Sequence, residues 1–328
     1  MIITKTPFRI SFCGGGSDLP SFYEQYGGCV LSTTINRYMY ISIHPFFDPK
    51  KTSLKYSKNE TVDDISKIEH QIIKDVLSRK KVSGVEITST ADIPQGTGLG
   101  SSSSFTVGLL HTIACYQGKF ISKAKLAEMA CEVEIDDLKS PIGKQDQYAA
   151  AFGGLNFFYF RKDGTVSQSP IIMRKETVSN LQKNLALFYI GHARSANEIL
   201  SEQNKNMDNP DKTKALKEMC ALAENMKESL ENNDLTSFGR ILNESWNLKK
   251  TLASGISTSI IDDAYKTALK NGALGGKLLG AGGGGFLLFY CEEGKQERLK
   301  EALGFKQMKF SFEQDGSSVV YVGDKYWE

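Results

Sequence analysis

Residues 94–105 read PQGTGLGSSSSF: glycines at 96, 98 and 100, then four consecutive serines. Glycine and serine in this proportion commonly make a flexible linker. Here the stretch lies between ITSTADI, which reads as a strand, and SSFTVGLLHTIACYQG, which reads as a helix ending at Gly118. A loop between a strand and a helix start is a natural seat for an anion. The helix presents free N–H groups and a partial positive charge, and glycine lets the backbone come close. A plain turn with a serine cap is the simpler alternative. A cap needs one serine, however, and this loop has four.

Two other glycine devices fit poorly. The P-loop needs G-x-x-x-x-G-K followed by Ser or Thr. Lys277 follows Gly276, but Leu278 comes next and position 271 is Asn271. G-x-G-x-x-G occurs at Gly280, Gly282 and Gly285, yet FLLFY follows it as a strand where a dinucleotide fold needs a helix. A nicotinamide-dependent oxidoreductase therefore rests only on GAGGGG.

Composition narrows the class. The 328 residues are 40% apolar and 24% charged, with a net charge of +2. That is globular, and too evenly charged for a nucleic-acid surface. Six scattered cysteines without C-x-x-C, and only four histidines, argue against a zinc site or a disulfide framework. The start MIITKTPFRISF lacks a signal-peptide pattern, and the longest apolar run, FLLFYC, is too short to span a bilayer. The expectation is a soluble, reduced, cytoplasmic protein, with no nucleic-acid or membrane partner.

Along the chain, MIITKTPFRISF, CVLSTTINRYMYISIHPF, GVEITSTADI and LNFFYF read as strands. IEHQIIKDVLSRK reads as a helix, and Ser122 caps another, KAKLAEMACEVEIDDLK. The polar stretch 161–184, with the turn RKDG, carries the domain boundary. Beyond it come the strand LALFYIG, helices over about 195–252 and 258–271, the glycine cluster leading from a helix into FLLFY, a helix near 294–303, the strand MKFSFE and the tail VVYVGDKYW. This mixture without regular βαβ alternation predicts an α+β fold in two domains, 1–170 and 171–328.

P-x-x-x-G-L-G-S-S-x-S, read from Pro94 to Ser104, resembles the central motif of the GHMP kinases. TPFRISFCGGGSDLP resembles that family's N-terminal motif and KLLGAGGGGFLL its C-terminal one, in the family's order and over about 280 residues. The resemblance implies an S5-like N-terminal domain, a ferredoxin-like C-terminal domain, and phosphoryl transfer from ATP with Mg2+. Pro94, Gly96, Gly98, Leu99, Gly100, Ser101, Ser102, Ser103 and Ser104 would form the ATP-phosphate loop. Ser102 and Glu134 match the family's metal ligands. Charge alone does not single out Glu134, because Glu132, Asp136 and Asp137 stand beside it.

Asp146, in S-P-I-G-K-Q-D-Q-Y, matches the family's P-x-G-x-x-D-Q pattern and would be the catalytic base; capping the helix QYAAAF is its plainer role. Arg9 would hold that carboxylate ionised and stabilise charge on the transferred group. Asp18, nine residues after Arg9, implies a grip on sugar hydroxyls, with Gly15, Gly16 and Ser17 around it and Gly282 and Gly283 opposite. The G-E-H-x-D-Y of galactose enzymes is G-G-G-S-D-L here, which leaves space where two polar side chains would stand. GGGSDLPSF, GKQDQYAAAFGG and FYIGHARSANEIL are most similar to the heptose 7-phosphate kinase branch. That implies phosphorylation of an anomeric hydroxyl, with Arg194 (beside His192) on a distal phosphate. Another sugar or sugar phosphate, or a non-catalytic sensor, is the alternative. The chain is expected to act as a monomer or homodimer.

Overall fold

The computed structural model describes residues 1–191 and 196–323. In chain order the N-terminal half comprises β1 (Ile2–Cys13), α1 (Pro20–Tyr26), β2 (Gly28–Pro45), β3 (Thr52–Lys55), β4 (Asn59–Val62), α2 (Gln71–Lys80), β5 (Val85–Ala91), α3 (Ser101–Tyr116), α4 (Lys123–Cys131), α5 (Gln145–Phe152), β6 (Leu155–Phe160) and β7 (Val166–Pro170). The rest comprises α6 (Lys175–Asn184), β8 (Leu185–Tyr189), α7 (Ala196–Lys205), α8 (Pro210–Glu231), α9 (Leu235–Lys249), α10 (Ser259–Lys270), β9 (Ala273–Leu278), β10 (Phe286–Cys291), α11 (Gln296–Leu303), β11 (Lys306–Met308), β12 (Phe312–Glu313) and β13 (Ser318–Val322). The α+β class read from the sequence is the class observed.

Two sheets organise these elements. The larger runs β13-β1-β2-β5-β3-β4, with β6 and β12 also on β2 and β7 on β6; the smaller runs β11-β8-β10-β9. Only β3 and β5 pair in parallel among the described strands. β1 and β2 form the longest ladder, from Ile2 opposite Ile43 to Cys13 opposite Leu31. From Thr6 onward every residue of β1 is buried, because α3, α5, α8 and α9 all pack against it. Continuous burial of this kind needs cover on both faces of a strand. Phe12 meets Phe238 of α9 edge to face at 5.3 Å, which ties the first strand to the helices of the second half. No helix among the described residues is long and apolar enough to cross a membrane.

The structure departs from the sequence reading in four places. Residues 161–184, read as a polar boundary, hold β7 and α6; the RKDG turn closes the β6–β7 hairpin, with Gly164 N donating to Arg161 O at 2.9 Å. The helix over KAKLAEMACEVEIDDLK stays α-helical only to Cys131 and continues as a π-helix over Glu132–Asp137. The glycine cluster joins two strands, β9 and β10, where a helix-to-strand junction was expected. MKFSFE divides between the two sheets, and the tail returns as β13 to pair with β1.

β9 escapes propensity because it is ALGGKL, and glycine weakens strands. The glycines are there for lack of room. A Cβ on Gly275 would stand 2.7 Å from Asn243 N of α9, and one on Gly276 2.6 Å from Leu288 O of β10. The helix and the neighbouring strand lie directly on this backbone. Gly276→Val is therefore expected to lower stability by about 2–3 kcal/mol in urea unfolding, from overpacking; an unchanged midpoint would mean that β9 is not packed this closely.

Candidate active site

Eight segments converge on one cleft of about 290 Å3: β1, the loop before α1, the loop before α3, the stretch Glu132–Asp137, the region around α5, α7, the end of α9, and β9 with its following loop. Arg9 of β1 is the hub. Its Nε donates to Asp146 Oδ1 at 2.7 Å, its Nη2 to Asp146 Oδ2 at 2.6 Å, and its Nη1 to Gly98 O at 2.6 Å. The fork geometry of guanidinium matches a carboxylate, and such charge-assisted pairs are the strong ones. The Arg9 side chain is 6% exposed and that of Asp146 23%, so the acid remains open to a ligand.

The loop before α3 has the form that anion binding requires. Gly96, Gly98 and Gly100 all have positive φ, from 76° to 84°. Gly100 is the N-cap of α3, and no side chain caps the helix. The plain serine-cap alternative is therefore not what the structure holds. The first N–H groups stay available at the cleft, where Ser101, Ser102 and Ser103 line the wall. The fourth serine does something else. Ser104 is buried, and its hydroxyl donates to Pro7 O at 2.9 Å, holding α3 on β1. Leu99 enters the hydrophobic core, and exposed Pro94 accepts from Thr97 Oγ1 at 3.0 Å. The C-terminal glycine loop lies against this one. A Cβ on Gly280 would stand 2.5 Å from Gly98 Cα, so the two backbones touch where side chains have no room.

Glu134 sits in the π-helical stretch, where Leu138 N reaches back five residues to Val133 O at 3.1 Å. It is buried, while Glu132, Asp136 and Asp137 are exposed. Ser102 Oγ donates to Glu134 Oε1 at 2.7 Å, and Gln147 Nε2 to Oε2 at 2.7 Å. Burial raises the Glu134 pKa above its ordinary value, against the lowering effect of its hydrogen bonds to Ser102, Ser103 and Gln147. A hydroxyl beside a buried, costly carboxylate is an oxygen donor set suited to a hard cation.

Asp18 is also buried. Gly16 N donates to its Oδ1 at 2.8 Å, Gln145 Nε2 to Oδ1 at 3.1 Å, and Gln145 N to Oδ2 at 3.2 Å. Burial raises its pKa, and the nearby Asp146 charge adds to the effect. Gly15, Gly16 and Gly282 line the cleft with it. Ser17 turns away and exchanges hydrogen bonds with the Cys29 backbone, and Gly283 N donates to Ile256 O at 3.1 Å. Arg194 and His192 lie outside the described residues. The segment 54–64 forms the β3–β4 hairpin, where Tyr56 packs edge-on to His70, and His70 leans on Phe105 of α3 at 5.0 Å.

Among the cleft residues that sequence reasoning missed are Lys249 and Lys277. Both are buried, at 7% and 6% exposure. Lys249 Nζ donates to Gly15 O at 3.1 Å and Gln203 Oε1 at 3.0 Å; Lys277 Nζ donates to Phe12 O at 3.2 Å. Burial pushes their pKa values down to about 8 and about 7. Lys277 stands inside the C-terminal motif, which was a usable signal. Lys249 ends a helix with a polar sequence, and nothing local marks it. Gln145 and Gln147, which flank Asp146, orient Asp18 and Glu134 respectively.

Burial of Glu134 has a pH signature. Its folded pKa lies above the ordinary 4.5, so above that pH the folded state binds the proton more tightly than the unfolded chain does. The contribution of Glu134 to stability is thus largest at low pH and falls as pH rises through that window. Glu134→Gln is expected to remove this decline, so that thermal melts between pH 5 and pH 8 show the variant gaining on the unmodified protein as pH rises. Parallel melting curves would contradict the burial argument.

Comparisons with known proteins agree with this fold. Residues 65–154 match the model for the GHMP kinases N terminal domain, and residues 226–309 the model for GHMP kinases C terminal. The chain is 31% identical to D-glycero-alpha-D-manno-heptose 7-phosphate kinase of Campylobacter jejuni, over 96% of this chain and 97% of that protein. It is 26% identical to the galactokinase of Thermotoga neapolitana, over 91% and 92%. The crystal structure of a D-glycero-D-manno-heptose 1-phosphate kinase from Bacteroides thetaiotaomicron superposes with a TM-score of 0.80 at 26% identity, covering 99% of this chain and all of that one. The chain belongs to the GHMP kinase family, as a sugar kinase whose similarity runs through both domains.

Proposed function

We propose that the chain transfers the γ-phosphoryl group of ATP to the anomeric hydroxyl of D-glycero-D-manno-heptose 7-phosphate. One observation carries the kinase chemistry. The phosphate loop and the acid belong to the same few ångströms, since a side chain on Gly100 would lie 3.3 Å from Asp146 Oδ2 and 3.3 Å from Arg9 Cγ. A γ-phosphate held by the loop then faces a hydroxyl held by Asp146. The full-length similarity to the Campylobacter jejuni enzyme supports the heptose phosphate as the acceptor.

The chemistry follows from positioning and electrostatics. The N–H groups at the start of α3 and the loop backbone hold the triphosphate. Asp146 Oδ accepts the hydroxyl proton as the sugar oxygen bonds to the γ-phosphorus and the bond to the bridging oxygen of ADP breaks. Arg9 keeps Asp146 in place with two hydrogen bonds and puts positive charge beside the transferred group. Asp18, fixed by Gly16 and Gln145, offers its remaining lone pairs to sugar hydroxyls. Ser102 and Glu134 would hold Mg2+, which neutralises phosphate charge when bound.

Two outcomes test the reading. In a coupled ADP-release screen with MgATP, heptose 7-phosphate is expected to give the highest kcat/KM in a panel containing galactose, fucose, N-acetylhexosamines and their phosphates; a better galactose or fucose turnover would reassign the acceptor. Asp146→Asn is expected to lower kcat by roughly 10^2–10^4-fold while nucleotide affinity holds. Full turnover by that variant would remove Asp146 from the mechanism.

A further inference from the structure

Lys249 and Lys277 have no anionic partner. No ion pair joins either to a carboxylate among the described residues, and their hydrogen bonds go to the neutral acceptors Gly15 O, Gln203 Oε1 and Phe12 O. Asp18 exerts an attraction on both, but the hydrogen bonds to its oxygens come from Gly16 and Gln145. The positive charges of Lys249 and Arg9 also disfavour a charged Lys277. Burying one cation without a partner is costly, and two facing one cleft is more so. A third donor waits beside them. Ser11 Oγ lines the same cleft, is buried, and has no hydrogen-bond partner. It lies near Gly15, whose carbonyl Lys249 holds, and next in sequence to Phe12, whose carbonyl Lys277 holds.

Two buried amines and a free hydroxyl that line one cleft, none of them hydrogen-bonded to a carboxylate, make a receptor for an anion. A neutral sugar hydroxyl would leave the repulsion between the lysines in place, whereas a phosphate dianion offsets both charges and accepts all three donors. The loop before α3 already provides for the nucleotide phosphates, and Lys249 sits against Gly15 and Gly16 of the loop before α1. We propose that Lys249, Lys277 and Ser11 form the subsite for the phosphate that the sugar already carries, and that they select phosphorylated acceptors over free sugars. Gln203 is a positioning residue here: its Oε1 fixes Lys249 Nζ at 3.0 Å. The inference rests on the sugar-kinase reading above, and names what that site recognises.

The test compares one sugar with and without its phosphate. Lys249→Met and Lys277→Met keep side-chain volume and remove a buried charge, so both are expected to fold; melting temperature and circular dichroism verify this, with Lys249→Gln and Ser11→Ala as substitutes for a variant that does not. With the intact protein, kcat/KM is measured for heptose 7-phosphate and for the free heptose at saturating MgATP. Each lysine variant is expected to lose at least about 30-fold more on the phosphorylated acceptor than on the free sugar, mostly through KM, and Ser11→Ala about 3- to 10-fold more. KM for MgATP should move by less than about threefold. Equal losses on both acceptors, or a loss expressed in KM for MgATP, would overturn the subsite and assign the lysines to the nucleotide or to the fold. An unmodified protein that ignores heptose 7-phosphate refutes the proposed acceptor only. The subsite is then decided by the panel's other sugar phosphates: a preference for them over their free sugars, abolished by the lysine variants, supports it, and no preference overturns it.

Discussion

The bidentate pair between Arg9 and Asp146 is the constraint on which the site depends. Arg9 stands on a strand that is buried on both faces, so its guanidinium has almost no freedom. Its third hydrogen bond, to Gly98 O, reaches the glycine loop before α3. One side chain thus registers β1, the start of α5 and the loop before α3 against each other. In the proposed mechanism each of those elements has a different part: the acid, the phosphate cradle and the strand that leads to the loop before α1. A shift of any one breaks a short, charge-assisted hydrogen bond in a largely buried place, where leaving a partner unpaired costs most.

Electrostatic balance in the cleft follows the same logic. Its charged lining residues are Arg9, Lys249 and Lys277 against Asp18, Glu134 and Asp146. Only Arg9 and Asp146 pair directly. Glu134 relies on Ser102 and Gln147, Asp18 on Gly16 and Gln145, and the lysines on neutral acceptors. Separated, incompletely matched charges are unfavourable for the empty protein and favourable for binding, because a ligand supplies what each lacks. The pKa directions agree: the two buried acids are raised and the two buried amines lowered, each because burial penalises its charged form.

How much of this was legible in the sequence depended on whether the signal was local. The strand, glycine loop and helix around 94–105 read correctly because periodicity and positive-φ glycine are local properties. The α+β class and the Arg9–Asp146 pairing were reachable through motif resemblance. Glu134 was one acid among four until burial separated it from Glu132, Asp136 and Asp137. The π-helical turn that carries it has no simple sequence mark. β9 was unreadable because its glycines answer to α9 and β10, which lie on it, and not to strand propensity. Lys249 was unreadable for the same kind of reason. Its burial comes from the meeting of α9, α7 and the loop before α1, which are distant in the chain. Among the four serines, only the packing of α3 on β1 tells that Ser104 is structural while the other three face the cleft.

The most direct test of this account is a double-mutant cycle on Arg9 and Asp146, read as the single-turnover rate of phosphoryl transfer. The proposed mechanism makes the two side chains one unit, with Arg9 placing the acid that takes the proton. It predicts that Arg9→Lys and Asp146→Asn each slow the transfer severely and that the double variant is scarcely slower than the worse single one. Fully additive losses would contradict it, because they would mean that Arg9 serves the reaction independently of the carboxylate it holds.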